Sequence, residues 1–319
     1  MKNTNYDVRL DEACQSVLHH DANLIGFFPH QLEQILSKTY DIKYPQLKGT
    51  IVIPVDTSIN TGAETFAFYL YDSVGMAQII SDYSQGLPRV DITGEKNTGQ
   101  IRSIGASFGY SIQEIRAAQF GGMPLEQRKA NAVRRANDQA VNRIAWHGDA
   151  EYGLYGFLNF PNVPTSDVLN DGTGSTTEWV NKTPAQILRD MNAAVSDVSD
   201  NTLGVHTVNT LLLPLAQYNH ISQTPYNTFT ATSILEFFKG NNPGIDVQSV
   251  NELKGAGTGS VDVMIAYERD IDNLGLQIPQ TFETFAPQAR GLELVISAHS
   301  RCGGVVFYYP LSANIKEGI

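Results

Sequence analysis

The sequence predicts an α+β fold in which one long helix is set among many short strands. Three observations carry this. The chain has 319 residues, more than the roughly 100–200 of a typical domain, so it forms one large or two intergrown domains. Its apolar fraction of 42% supplies a core and excludes wholesale disorder, while its charged fraction is only 17%, against about 25% in ordinary soluble chains. Asn, Gln, Ser, Thr and Gly supply the polarity instead, which suits strands, loops and subunit contacts rather than a free helical bundle. Third, helical periodicity is sustained over only one long stretch, and most other ordered runs have strand character.

Residues 1–48 read as an arm with short helices. Leu10, Ala13, Cys14, Val17 and Leu18 recur at helical spacing, and a second helix over 30–36 follows Pro29. Tyr44-Pro45 ends the segment. TIVIPV at 50–55 reads as a short strand at an edge, because of Pro54. ETFAFYLY at 64–71 alternates Phe66, Phe68 and Leu70 with Ala67, Tyr69 and Tyr71. Both faces are apolar or aromatic, so the strand is expected to be covered on both sides, or by a neighbouring chain. Residues 84–99 are rich in turn formers and too polar for a core, and 100–110 reads as the returning strand. Residues 64–110 are therefore expected to form a long two-stranded excursion with a polar tip. An isolated ribbon is marginal in water and needs another subunit to lie on.

Ser111 and Glu114 have capping-box spacing at the start of a helix that Gly121-Gly122 interrupts. Pro124 restarts it. From Pro124 to His147 one stripe carries Leu125, Ala132, Val133, Ala136, Ala140, Val141, Ile144 and Ala145, and Gly148 is a natural stop. Residues 149–182 read as loop. Thr183-Pro184 opens a helix to about Val198, and short strands and helices alternate from 207 to 267. Strands at 292–298 and 304–309 complete a β-rich end. No repeat of 20–50 residues is present.

The formal net charge is -11. Residues 1–150 hold 14 basic and 16 acidic residues, a net of -2, and residues 151–319 hold 8 and 17, a net of -9. Affinity for phosphates needs clustered Lys and Arg, so this balance argues against a simple nucleic-acid reader. Cys14 and Cys302 lie near opposite ends and have no metal spacing, which fits a reducing compartment. The opening residues have no apolar signal-peptide core, and no run approaches the length of a membrane span.

Searches for catalytic chemistry fail. HExxH, the P-loop and CxxC are all absent. The run at 255–260 (GAGTGS) precedes a strand rather than a helix, so a hairpin connection is expected rather than a phosphate cradle. Glu268, Asp270 and Asp272 resemble half a calcium loop, but Leu274 and Thr281 stand at its fifth and twelfth positions, where an oxygen ligand and an acid belong, so an acidic surface loop is expected. His19, His20 and His30 are too poorly spaced for a metal site. Cys302, between Arg301 and two glycines, is expected to be a small buried residue. Arg128, Lys129, Arg134, Arg135 and Arg143 lie on the long helix, with Arg128, Arg135 and Asn142 on one face. They form a solvated face, or else pair with acids of a neighbouring subunit or face a packaged polyanion. No catalytic residue, cofactor site or metal site is assigned.

The order of features, together with ETFAFYLYDSVGMAQIISDY at 64–83, LPRVDI at 87–92, the run at 111–149 and EYGLYGFLNFPNV at 151–163, resembles the major capsid proteins of tailed bacteriophages. Their fold, the Hong Kong ninety-seven fold, is shared with encapsulin shells. The resemblance covers essentially the whole chain. It implies an N-arm over 1–50, an E-loop hairpin with its strand roots over 51–110, and a P-domain over 111–182 with its spine helix at 124–147. It further implies a mixed α/β A-domain over 183–280 and a return to the P-domain sheet over 281–319.

The implied function is a structural, non-enzymatic head protein that forms pentamers and hexamers and closes an icosahedral shell around a DNA genome. Its implied partners are itself, a portal, scaffold or decoration proteins, and packaged double-stranded DNA held without sequence specificity. No membrane partner is implied. Its implied location is the virion capsid, assembled in the host bacterial cytoplasm. Inter-subunit contacts are expected from Phe66, Phe68, Tyr69, Tyr71, Gly86, Pro88, Arg89, Lys96, Arg128, Arg134 and Arg135. No long charged helix precedes the arm, so any scaffold is expected to be a separate protein. Lys96 and Asn314 are of the types that some relatives join covalently. The rival readings are an encapsulin-type nanocompartment shell and, of a different class, a soluble α/β hydrolase or ligand-binding protein.

Overall fold

A computed structural model describes residues 44–76, 89–121, 125–227, 229 and 231–319. The chain divides into two compact units, Met1–Gln46 and Leu47–Ile319, and the second is described below. The helices expected at 10–18 and 30–36, Cys14, the three N-terminal histidines, Gly86 and Pro88 lie outside the described residues.

The elements run in order as α1 (Gly49–Val52), β1 (Val55–Asp56), β2 (Thr65–Val74), β3 (Asp91–Gln100), β4 (Arg102–Ser111), α2 (Ile112–Gly121) and α3 (Leu125–His147). After a loop come β5 (Thr165–Asp167), α4 (Pro184–Asn201), β6 (Thr210–Leu213), α5 (Leu215–Gln223), α6 (Ile234–Asn241), β7 (Asp246–Ser249) and β8 (Val263–Tyr267). Six strands finish the chain: β9 (Leu274–Gln277), β10 (Gln280–Thr284), β11 (Gln288–Arg290), β12 (Glu293–Cys302), β13 (Gly304–Phe307) and β14 (Ala313–Glu317).

A five-stranded sheet in the order β5-β14-β8-β6-β7 separates two cores. Its alternation assigns each side chain to one of them. Val263, Ile265 and Tyr267 of β8 join Trp146, Phe157 and Phe307 on one face. Met264 and Ala266 join Trp179, Met191, Val198 and Phe238 on the other, beneath α4 and α6. Thr183 caps α4 in a reciprocal capping box with Gln186, as its sequence predicts. The predicted box of Ser111 and Glu114 also forms at the head of α2.

The long helix α3 matches its predicted span, and among its described side chains the buried ones lie in its second half. Val141, Ile144, Ala145 and Trp146 are in the core, whereas Ala132 and Ala136 are exposed. Its last carbonyls are satisfied by the GLYGFLN segment. Phe157 N donates to Ala145 O, Leu158 N to Trp146 O, and Asn159 Nδ2 to His147 O. The turn needs Gly148, at φ +64°, where a Cβ would stand 2.3 Å from Leu154 O.

Five expectations are corrected. The strand expected at 50–55 is the single helical turn α1 followed by the two-residue β1. Asn142 Oδ1 accepts from Gly49 N, and Arg269 and Tyr267 donate to the carbonyls of Ile51 and Val52, so side chains replace a strand's ladder. Asn142, expected on a solvated face, is correspondingly buried.

The strand that returns along β2 is β3, not 100–110. Thr65 faces Gln100 and Val74 faces Asp91, while β4 pairs with β12 along its whole length. β3 has almost no buried position, so no burial selects an alternating pattern that sequence could reveal. The run at 255–260 is not a hairpin connection, because β7 and β8 lie on opposite sides of β6.

The end of the chain does not return to one sheet. β12 joins β4 and β13 joins β9, but β14 enters the five-stranded sheet between β5 and β8. β14 is buried at four of its five positions and carries Asn314 and Lys316 to Asp197 of α4. Asn314 is 1% exposed and is engaged within its own chain.

Candidate assembly surfaces

The ribbon of β2 and β3 has two different faces. Residues directly opposite in an antiparallel pair share a face. Phe66, Phe68 and Leu70 face Gly99, Asn97 and Glu95 and turn toward the body of the chain. The Phe68 ring meets Tyr308 edge-on at 5.0 Å. The Phe66 ring lies over Gly99, where a Cβ would come within 2.2 Å of it.

Tyr69 and Tyr71 face outward opposite Lys96 and Gly94. Their rings stack at 6.2 Å and are 56% and 72% exposed. Ile92 continues this face opposite Ser73, and Val74, Met76 and Val90 add exposed apolar surface toward the tip. A row of large apolar side chains left in water marks a surface to be covered. Ile92 and Val90 were legible in their own alternation with Asp91, but the surrounding polar residues obscured it.

Between ribbon and body lies a cleft of ≈ 910 Å³ lined by Phe66, Phe68, Leu70, Tyr155, Phe160 and Tyr308 among others. Further out, a second hollow of ≈ 730 Å³ lies between ribbon residues that include Leu70 and Val74 and the body residues Val205, His206, Tyr309 and Leu311. There His206 Nδ1 lies 2.7 Å from Glu268.

The basic residues of α3 are dispersed around it. Arg128 and Arg134 are exposed and Arg135 is half-buried. Lys129 donates to Gly109 O and Glu114 and stands 4.8 Å over the Tyr110 ring. That lysine holds the Glu114 carboxyl below its ordinary range. Arg143 pairs with Asp149 at 3.5 Å. Arg89 is exposed just before β3.

The remaining chemical candidates take up structural roles. Burial pushes the Cys302 thiol up to about 11, which keeps it protonated and unreactive. In the glycine-rich turn, Gly255 N donates to Asp262 and Thr258 N to Glu317, so carboxylates occupy the donors a phosphate would need. Asp270 accepts from Asp272 N in a local turn. Among the described residues no group of three or more His, Cys, Asp or Glu is placed to hold a metal. Nor is any described helix long and apolar enough to cross a membrane.

Residues 75–319 match the family described as major capsid protein. The chain belongs to that family. Solved capsid chains share its fold. The capsid of Myoviridae phage XM1 superposes with a TM-score of 0.79 at 14% identity, covering 92% of this chain and 99% of that one. Mycobacterium phage Ogopogo gives 0.60 at 13% identity, over 90% and 97% of the two chains. A virus-like particle from Pyrococcus furiosus gives 0.52 at 12% identity, over 84% and 91%. No curated protein matches the sequence. As a major capsid protein with the Hong Kong ninety-seven fold, the chain is a structural subunit that assembles with copies of itself into a shell.

Proposed function

We propose that the protein is the major head protein of a tailed bacteriophage, with no catalytic role, and that pentamers and hexamers of it close an icosahedral shell around double-stranded DNA. The observation that carries this reading is the family match over residues 75–319. The exposed ribbon supports it, since Tyr69, Tyr71 and Ile92 are each more than half exposed. In this reading the N-arm occupies 1–50, the E-loop 51–110, the P-domain 111–182 and the A-domain 183–280, and 281–319 returns to the P-domain. The ribbon face and the tip, with Arg89 and Lys96, lie on a neighbouring subunit.

The shell stands in the virion and is assembled in the host cytoplasm beside a portal and any scaffold or decoration proteins. DNA is contained without being read. The net of -9 over residues 151–319 repels phosphate, and the exposed Arg128 and Arg134 provide only local, sequence-independent attraction. The nanocompartment alternative has the weaker fold likeness, 0.52 against 0.79.

Expression of the chain alone, followed by negative-stain electron microscopy, tests the reading. Hollow shells, tubes, or rings of five or six are expected. A protein that remains monomeric at every concentration and salt condition tried would overturn it.

A further inference from the structure

Beside the outer edge of β2 is a notch of ≈ 430 Å³ that the ribbon's apolar faces do not explain. Asp56, Phe68, Tyr69, Ile271, Asp272 and Tyr308 line it. Asp56 ends β1, and Asp272 lies in the turn before β9, so two separate segments bring two carboxylates to one aromatic hollow. Among the described residues, neither carboxylate is in an ion pair. Asp56 Oδ1 accepts only a local bond from Ser58 N. Arg269, close in the chain, is committed to the carbonyls of Ile51 and Val52. The Tyr308 hydroxyl is fixed by a bond from Gln277 Nε2 at 3.2 Å, and its ring is held by Phe68. Tyr308 and Phe68 are thus positioned before anything enters.

Carboxylates beside aromatic side chains suit one chemical group well. A guanidinium stacks its plane on an aromatic ring while its N–H groups donate to carboxylates, and its aliphatic stem lies along apolar wall. Here Ile271, 48% exposed, and the Tyr69 ring provide that wall.

We propose that this notch receives an arginine side chain from a second copy of the chain. The inference rests on the reading of the protein as a shell subunit. Charge complementarity points to the same partner. Helix α3 carries five basic residues against Glu126 and Asp138, and it presents Arg134 to solvent. Acids dominate the second half of the chain, 17 against 8. Copies of one chain so divided attract one another between unlike regions, and a head-to-tail contact of this kind can close into rings.

The double variant Asp56→Asn/Asp272→Asn tests the proposal, with assembly followed by light scattering and electron microscopy. The concentration needed for half-assembly should rise about tenfold or more, and the rise should shrink as salt is increased, since screening weakens the wild-type contact. The monomer's melting temperature controls for folding. If the variant is unstable, methylguanidinium added to the wild type replaces it. That probe should inhibit assembly more than an equal concentration of sodium chloride. An unchanged half-assembly concentration and salt dependence in a folded variant overturns the notch, as does inhibition no greater than that of sodium chloride. Failure of the wild type to assemble at all would instead overturn the shell reading.

Discussion

Lys182 shows how one residue ties a loop into the fold. Its side chain is fully buried and its ammonium lies 2.6 Å from Asp190 and 3.5 Å from Asp171. Arg189 completes the group through 2.6 Å and 2.8 Å contacts to the same two carboxylates, and Lys182 also donates to Leu169 O. Isolated charges cannot be buried cheaply, but here each has an opposite partner. The Arg189 guanidinium and the Lys182 ammonium hold the Asp171 carboxyl at about 2, below its ordinary 3.8. A depressed carboxyl favours the fold only while ionised, so its contribution is complete above pH 3.8 and is lost as pH falls toward 2. Asp171→Asn should remove that part of the acid sensitivity. Melting temperatures measured across this interval should converge for wild type and variant as pH falls, and parallel profiles would refute the assignment.

The ribbon of β2 and β3 shows how an element can be stable in its chain yet incomplete. Phe66 and Phe68 anchor it inward, and Gly99 leaves room for the Phe66 ring. Tyr69 and Tyr71 contribute little to the protomer because they remain in water. The double variant Tyr69→Ser/Tyr71→Ser should therefore change monomer stability by no more than about 1 kcal/mol, as exposed substitutions do, while sharply lowering the yield of shells. Denaturant melts and electron microscopy on the same preparation separate the two effects. Normal shells from this variant would remove the outer ribbon face from the assembly interface.

At the scale of the whole molecule, the five-stranded sheet gives both cores a common wall. Met264 and Ile265 are adjacent in β8, yet they belong to opposite cores. Met264→Ala and Ile265→Ala should each cost about 2–5 kcal/mol, and each should lower the same unfolding transition, since neither core retains its wall when the sheet is lost. Calorimetry on assembly-incompetent protein reads this directly. Two transitions, each displaced by only one of the variants, would show that the cores unfold independently.

The sequence by itself determined much of the fold and the family resemblance. The capping boxes of α2 and α4, the stop at Gly148 and the strand β2 are local matters, decided by spacing within a few residues. The order of these features was enough to suggest a capsid subunit. Tertiary structure alone decided which strand returns along β2, that 49–52 is a helical turn held by Arg269 and Asn142, and that β14 enters the five-stranded sheet. It also brought Asp56, Asp272 and Tyr308 to one notch, although they are 216 and 36 residues apart in the sequence. The physical reason is the same in each case. Local spacing encodes caps and alternation, but strand partners and convergent side chains depend on long-range burial and hydrogen bonding. An exposed polar strand such as β3 carries no burial pattern that would announce its partner.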